Sequence, residues 1–168
     1  MADYSDDQIE KLISCPKEIS VPPAKNLRLN GADWRNEAKM VATDGTKGTF
    51  SMFMRKNEDF PENFSIGLTY RPDDGTSEIT LLRCNGKHGV FNGSGSDPNH
   101  PHFDFHIHKA SEQAISAGRT AEKFADRTTE FASYEQALQH YVKVVKLNSR
   151  DASKYFPLEV QSEIGFTD

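Results

Sequence analysis

The sequence predicts an α+β fold: an antiparallel β meander of about five strands, with C-terminal helices packed on one face and a short N-terminal helix. Three observations predict it. Apolar and polar residues alternate with period two in segments between residues 25 and 109, turn residues separate those segments, and the period becomes helical after residue 110. Strands followed by helices is the α+β order, unlike the strand–helix alternation of a parallel sheet. At 168 residues, 36% hydrophobic and 10% aromatic, the chain has the size and apolar content of one folded domain. Within it we read an N-terminal helix and irregular lead over 1–24, a sheet over 25–109, helices over 110–147 and a tail over 148–168.

Ser5-Asp6-Asp7-Gln8 is a capping-box pattern, and Ile9, Leu12 and Ile13 follow at helical spacing, which predicts a helix from about Asp6 to Ser14. Pro16, Pro22 and Pro23 then predict an irregular chain. Strands are expected at Asn36–Thr43, at Thr49–Lys56 (with Phe50, Met52 and Met54 on one face), at Phe64–Tyr70, at Glu78–Cys84 and at His102–Lys109. Asp44-Gly45, the run from Arg71 to Gly75, and Asn85-Gly86 supply turns, and Gly89–Pro98 reads as a flexible loop. Ser111–Phe124 is Ala-rich and reads as helical, with Gly118 as an interruption. Ser133-Tyr134-Glu135-Gln136 repeats the capping-box pattern. Behind it, Tyr134, Ala137, Leu138, Tyr141, Val142 and Val145 form one apolar stripe on a helix reaching about Leu147.

Charge and cysteine narrow the setting. The formal net charge of −5 is concentrated at the chain ends, leaving residues 11–150 with 17 acids and 19 bases, so bulk charge neither selects nor excludes a nucleic-acid partner. Cys15 and Cys84 stand alone without a CxxC or a spaced histidine, as reduced thiols in a cytoplasmic protein would. No apolar run approaches the ~20 residues that span a bilayer, and the acidic N-terminus is not that of a signal peptide.

The chemistry concentrates in one place. Of six histidines, five (His88, His100, His102, His106 and His108) lie between positions 88 and 108. On a strand, His102, Asp104, His106 and His108 share one face, and Phe103, Phe105 and Ile107 share the other, which belongs to the core. The polar row offers three chemistries. Two imidazoles can act as acid and base on a phosphodiester. One can attack phosphorus while Asp104 or its neighbour orients it. His106, His108 and Asp104 can hold a divalent metal. Arg83 and His88, at the end of the preceding strand, are the expected phosphate-binding partners, since a guanidinium presents a planar fork of donors. Cys84 has no base nearby and is not expected to act as a nucleophile.

The run Leu81-Leu82-Arg83-Cys84-Asn85-Gly86-Lys87-His88-Gly89, followed by His106-Ile107-His108 and then Ala137-Leu138, resembles a bacterial family of unassigned function. That family has a leucine-rich strand, an Arg-x-Asn-Gly turn, a downstream His-x-His strand and a C-terminal helix pair. The same region, residues 64–147, is loosely similar to the TumE-type toxins of toxin–antitoxin loci. The resemblance implies a small α+β fold and an association with toxin or phage-conflict systems, and carries over no activity. Asp104-Phe105-His106-Ile107-His108 is also similar to the strand of histidine-triad nucleotide hydrolases and transferases, with His106 at the central nucleophile and Asp104 replacing the first histidine. His106-x-His108 followed by Glu112 resembles one cupin metal motif, without its second.

Two functions follow as expectations. The first is action on RNA or a nucleotide phosphate, as a ribonuclease or phosphoesterase. His106 and His108 would be acid and base, with His102 in the same row, Asp104 orienting, and Arg83 and His88 holding phosphate. No organic cofactor would be needed, and a divalent metal is compatible. The second is a non-enzymatic interaction protein, such as an antitoxin, an inhibitor or a defence accessory. It would dock a protein partner through its acidic N-terminus and Phe-bearing tail.

Overall fold

A computed structural model describes residues 3–88 and 101–157. Eight strands form one antiparallel sheet: β1 (Lys17–Val21), β2 (Arg28–Asn30), β3 (Asp33–Ala42), β4 (Thr49–Asn57), β5 (Phe64–Arg71), β6 (Ile79–Asn85), β7 (His106–Lys109) and β8 (Ala125–Arg127). Their spatial order is β1-β3-β4-β5-β6-β7-β8, and β2 shares an edge of β3 with β1. Four helices accompany it: α1 (Asp6–Ser14), α2 (Glu112–Ser116), α3 (Tyr134–Val144) and α4 (Ser149–Tyr155). The α+β class stands, with more strands than the five expected. No helix among the described residues is long and apolar enough to cross a membrane.

Period-two alternation assigns the two faces. Ala38 and Met40, Phe50, Met52 and Met54, Phe64, Ile66 and Leu68, and Leu82 and Cys84 all point to one side and are buried. Helix α1 contributes Ile9, Leu12 and Ile13 to the same core, and α3 contributes Ala137, Tyr141 and Val142. The Tyr141 hydroxyl donates to the Gly67 carbonyl at 3.2 Å, so the α3 stripe is tied to the central strand as well as packed on it. Burial also raises the Cys84 thiol to about 12, in keeping with an inert thiol.

The helix starts follow their local chemistry. Ser5 and Gln8 form the reciprocal capping box. At α3 the box is half formed: the Ser133 hydroxyl accepts from the Gln136 N–H, but the Gln136 side chain accepts from Ala132 instead. Other expectations are corrected. Residues 17–21 are a strand, not an irregular lead, because Lys17 and the edge of β3 hold them between prolines. The helix expected over Ser111–Phe124 stops at Ser116, where Gly118 turns at φ +67°, and the chain emerges as β8. Asn85 is the last residue of β6 rather than part of a tight turn. Part of the tail is α4, capped by the Asn148 side chain. The Gly-rich stretch 89–98, His100 and residues 158–168 lie outside the described residues.

Lys17 ties these parts together. Its side chain is fully buried. Its ammonium donates to the Ile13 and Cys15 carbonyls at the end of α1 (2.7 and 2.8 Å) and to the Val145 carbonyl at the end of α3 (3.0 Å). Three carbonyls match the three donors of an ammonium, and helix C-termini favour a cation. The Nζ also sits 4.7 Å from the Phe50 ring centroid. Lys17→Met keeps the stem and strands those carbonyls. We expect it to lower the unfolding free energy by about 3 kcal/mol in urea titration. A variant as stable as wild type would show that the lysine does not hold the helices.

Candidate functional site

The site lies on the face of the sheet that the helices leave uncovered. Register places Ser65, Asn85 and His106 in one cross-strand row and Gly67, Arg83 and His108 in the next. Residues paired across an antiparallel sheet project to the same side. The rows continue onto β4 as Arg55 and Phe53, and Arg55 pairs with Arg35 on β3. Two histidines, an asparagine, a serine and three arginines therefore share one surface.

A hydrogen-bond chain orders the buried part. The Ser65 hydroxyl donates to Asn85 Oδ1 at 2.6 Å, and Asn85 Nδ2 lies 3.4 Å from His106 Nε2. His106 Nδ1 is 2.8 Å from the Asp104 carbonyl oxygen. A carbonyl only accepts, so Nδ1 carries the proton and Nε2 is the acceptor facing Asn85. The same argument applies to His108, whose Nδ1 is 2.9 Å from the Glu122 carbonyl. The rings of His88, His106 and His108 stack edge-to-face in series, with centroids 5.1 Å apart at each step. His106 is fully buried and His108 nearly so. Burial, aided by the neighbouring His108, His88 and Arg83 and opposed by the Asp104 hydrogen bond, pushes His106 down to about 4. It is therefore neutral at pH 7.

The accessible part is a pocket of about 400 Å³ lined by Arg35, Arg55, Asn63, Ser65, Arg83, Asn85 and His88, with Phe53 on one wall. Arg83 Nε is within ion-pair range of Glu122 (3.6 Å) yet has no hydrogen-bond partner among the described residues. Arg55 is oriented by Asp33 (3.1 Å) and Asn63 (2.9 Å). Both guanidinium groups already sit beside carboxylates, so an anion in the pocket would have to use their remaining N–H donors.

The expected residues are distributed differently from the sequence reading. Strand β7 starts at His106 and not at His102, whose backbone belongs to a 3₁₀ turn (Pro101–Phe103). Asp104 orients His106 through its carbonyl, while its carboxylate pairs with Arg127 at 3.3 Å. The metal trio His106, His108 and Asp104 is accordingly not assembled, and among the described residues no group of three or more His, Cys, Asp or Glu side chains is set to hold a metal. The histidine row is also not an open surface: His106 and His108 form its buried floor, and His88 is the imidazole on the pocket wall. Arg83, His88, His106 and His108 are brought together as expected. The sequence reading does not single out Arg35, Arg55 or Ser65, and it takes Asn85 as a turn residue; the signal for Arg55 is its outward parity on β4, shared with Ser51 and Phe53. Comparison with protein-family models, with curated proteins and with solved structures gives no match.

The buried histidine makes folding sensitive to acid. With a folded pKa near 4 and an ordinary value of 6.5, His106 binds its proton preferentially in the unfolded chain. Its contribution is fully present above pH 6.5 and is lost as pH falls toward 4. The expected loss is roughly 3 kcal/mol across that window, read from denaturation midpoints, and His106→Gln should flatten the slope. A His106 ring resonance titrating near 6.5 by NMR would contradict this.

Proposed function

We propose that this protein acts on a phosphate ester of RNA or of a nucleotide, bound in the Arg35–Arg55–Arg83 pocket beside His88. The observation that carries this reading is the convergence of three guanidinium groups and one imidazole on a single cavity. In an RNA substrate the 2′-hydroxyl attacks phosphorus and gives its proton to His88. The P–O5′ bond breaks, and O5′ takes a proton from water. The products are a 2′,3′-cyclic phosphate and a free 5′-hydroxyl, and the hydroxide left from water is neutralised by the His88 imidazolium. The arginines stabilise the charge that develops on the phosphate oxygens. His106, neutral and buried, is a positioning residue that holds His88 against the pocket. The reading needs no organic cofactor and is compatible with a divalent metal. On the loose similarity to TumE-type toxins, we propose a place in bacterial or phage conflict systems, in the cytoplasm.

The interaction-protein reading has less support. Among its acidic N-terminal residues, Asp6 accepts from the Glu112 N–H and Glu10 pairs with Lys109, so both are spent within the fold. Phe156, which that reading assigns to a docking tail, is buried.

The test is incubation with total RNA, with and without a chelator, comparing wild type with His88→Gln and Arg83→Gln. We expect cleavage by the wild type, a loss of about 100-fold in His88→Gln and weakened RNA binding in Arg83→Gln. The chelator arm reports whether a metal participates. Absence of both RNA cleavage and nucleotide binding in the wild type would overturn the proposal.

A further inference from the structure

The phosphate pocket is one end of a longer groove. A second cavity, of about 650 Å³, is lined by Arg28, Leu29, Arg35, Phe53 and Arg55 among others, and it shares Arg35, Phe53 and Arg55 with the first. Arg28, Arg35 and Arg55 are successive cross-strand partners on β2, β3 and β4. Four strand spacings separate β2 from β6 along the sheet, a span of about 19 Å at roughly 4.8 Å each. Across both cavities the lining carries four arginines (Arg28, Arg35, Arg55 and Arg83) and one acid, Glu37.

Phe53 is the unusual member. Other phenylalanines of the sheet, Phe50 and Phe64, are fully buried in the core. Phe53 projects to the opposite face, half-buried among arginines, in the space that the absent side chain of Gly67 leaves: a Cβ on Gly67 would lie 1.9 to 2.7 Å from atoms of the ring. The aromatic ring thus lines both cavities, with Glu37 opposite it on β3 and Gly67 on β5.

We infer that this groove binds a single-stranded nucleic acid, with a base stacked on Phe53 and flanking phosphates on Arg28, Arg35 and Arg55. This rests on the phosphate-ester reading of the adjoining pocket and extends it to the class of substrate. An aromatic ring among cations on a sheet surface suits unstacked bases, whereas an A-form duplex keeps its bases stacked and offers none. A free mononucleotide would need the first pocket alone.

The experiment is fluorescence anisotropy with a labelled uridine oligonucleotide of about a dozen nucleotides, the same strand in a duplex, and uridine monophosphate as competitor. The proteins are wild type, Phe53→Leu, Arg28→Gln and Arg83→Gln, each checked for an unchanged denaturation midpoint. We expect the single strand to bind at least about 10-fold more tightly than the duplex and Phe53→Leu to weaken it about 10-fold. Mononucleotide affinity should be unaffected in Arg28→Gln, since Arg28 lines the second cavity and not the first. Arg28→Gln, at an exposed position that cannot unfold the core, should lower the salt slope of oligonucleotide binding by about 0.7. Equal binding of duplex and single strand, or wild-type behaviour of both Phe53→Leu and Arg28→Gln, overturns the inference. Mononucleotide binding that depends on Arg83, with no added affinity for the oligonucleotide, overturns the groove and leaves the pocket reading standing. No binding of any of these ligands overturns both.

Discussion

The buried ammonium of Lys17 is the interaction on which the architecture depends. It collects the C-terminal carbonyls of α1 and the last carbonyl of α3 on one side of the sheet. Those helices are far apart in sequence, and their apolar stripes alone would leave the axial position of each helix loosely set. A charged donor with three fixed acceptors sets it, because a buried polar group must keep its partners. The backbone of Lys17 repeats the connection, donating to the Lys146 carbonyl and accepting from the Asn148 N–H. Both helices are thereby committed to one face, and the opposite face of the central strands is left to polar side chains.

On that opposite face, burial and exposure divide the labour among histidines of similar intrinsic chemistry. His106 and His108 are fixed by backbone carbonyls that choose their tautomers. His88 stands above them, on the pocket wall. Ser65 and Asn85 complete the arrangement: without the hydroxyl donor, the Asn85 amide would be free to flip and present oxygen instead of nitrogen to His106 Nε2. The central strand can carry such small polar residues because the long side chains of its neighbours lie over it; Ser65 and Thr69 are buried although they face away from the helices.

How much of this was legible follows from the length and regularity of each signal. Strand β5 alternates without interruption, and both capping patterns lie before regular apolar stripes, so the starts of those elements were readable, although α3 ends at Val144 and not near Leu147. Strands β2 and β8 have three residues each, too few to show a period; their partners across the sheet define them. Strand β1 lay between prolines that signal irregular chain, and only its lysine, seated under two helices, explains why it is extended. The histidine cluster and Arg83 were legible as a group because alternate positions on paired strands converge. Their burial was not, since it depends on what β8 and the Glu122 segment cover. Arg35 and Arg55 were hidden for a different reason: an arginine on the polar side of a strand looks solvated until cross-strand register shows that its neighbours are arginines too.

The cations of the proposed pocket and groove are all guanidinium groups, and these keep their charge at any pH the fold tolerates. A pH change near neutrality therefore leaves the electrostatic attraction for a phosphate intact. Within the histidine series, His106 is held neutral by burial. A protonated His106 would add a positive charge in the interior next to Arg83, and the edge-to-face contact with His88 would become a contact between a cation and the ring that must itself accept a proton. In the proposed reaction, a neutral middle ring separates two tasks that would otherwise interfere: the arginines would hold the anion, and the outer imidazole would exchange a proton with it. The same burial that costs the fold stability in acid is what makes that separation possible.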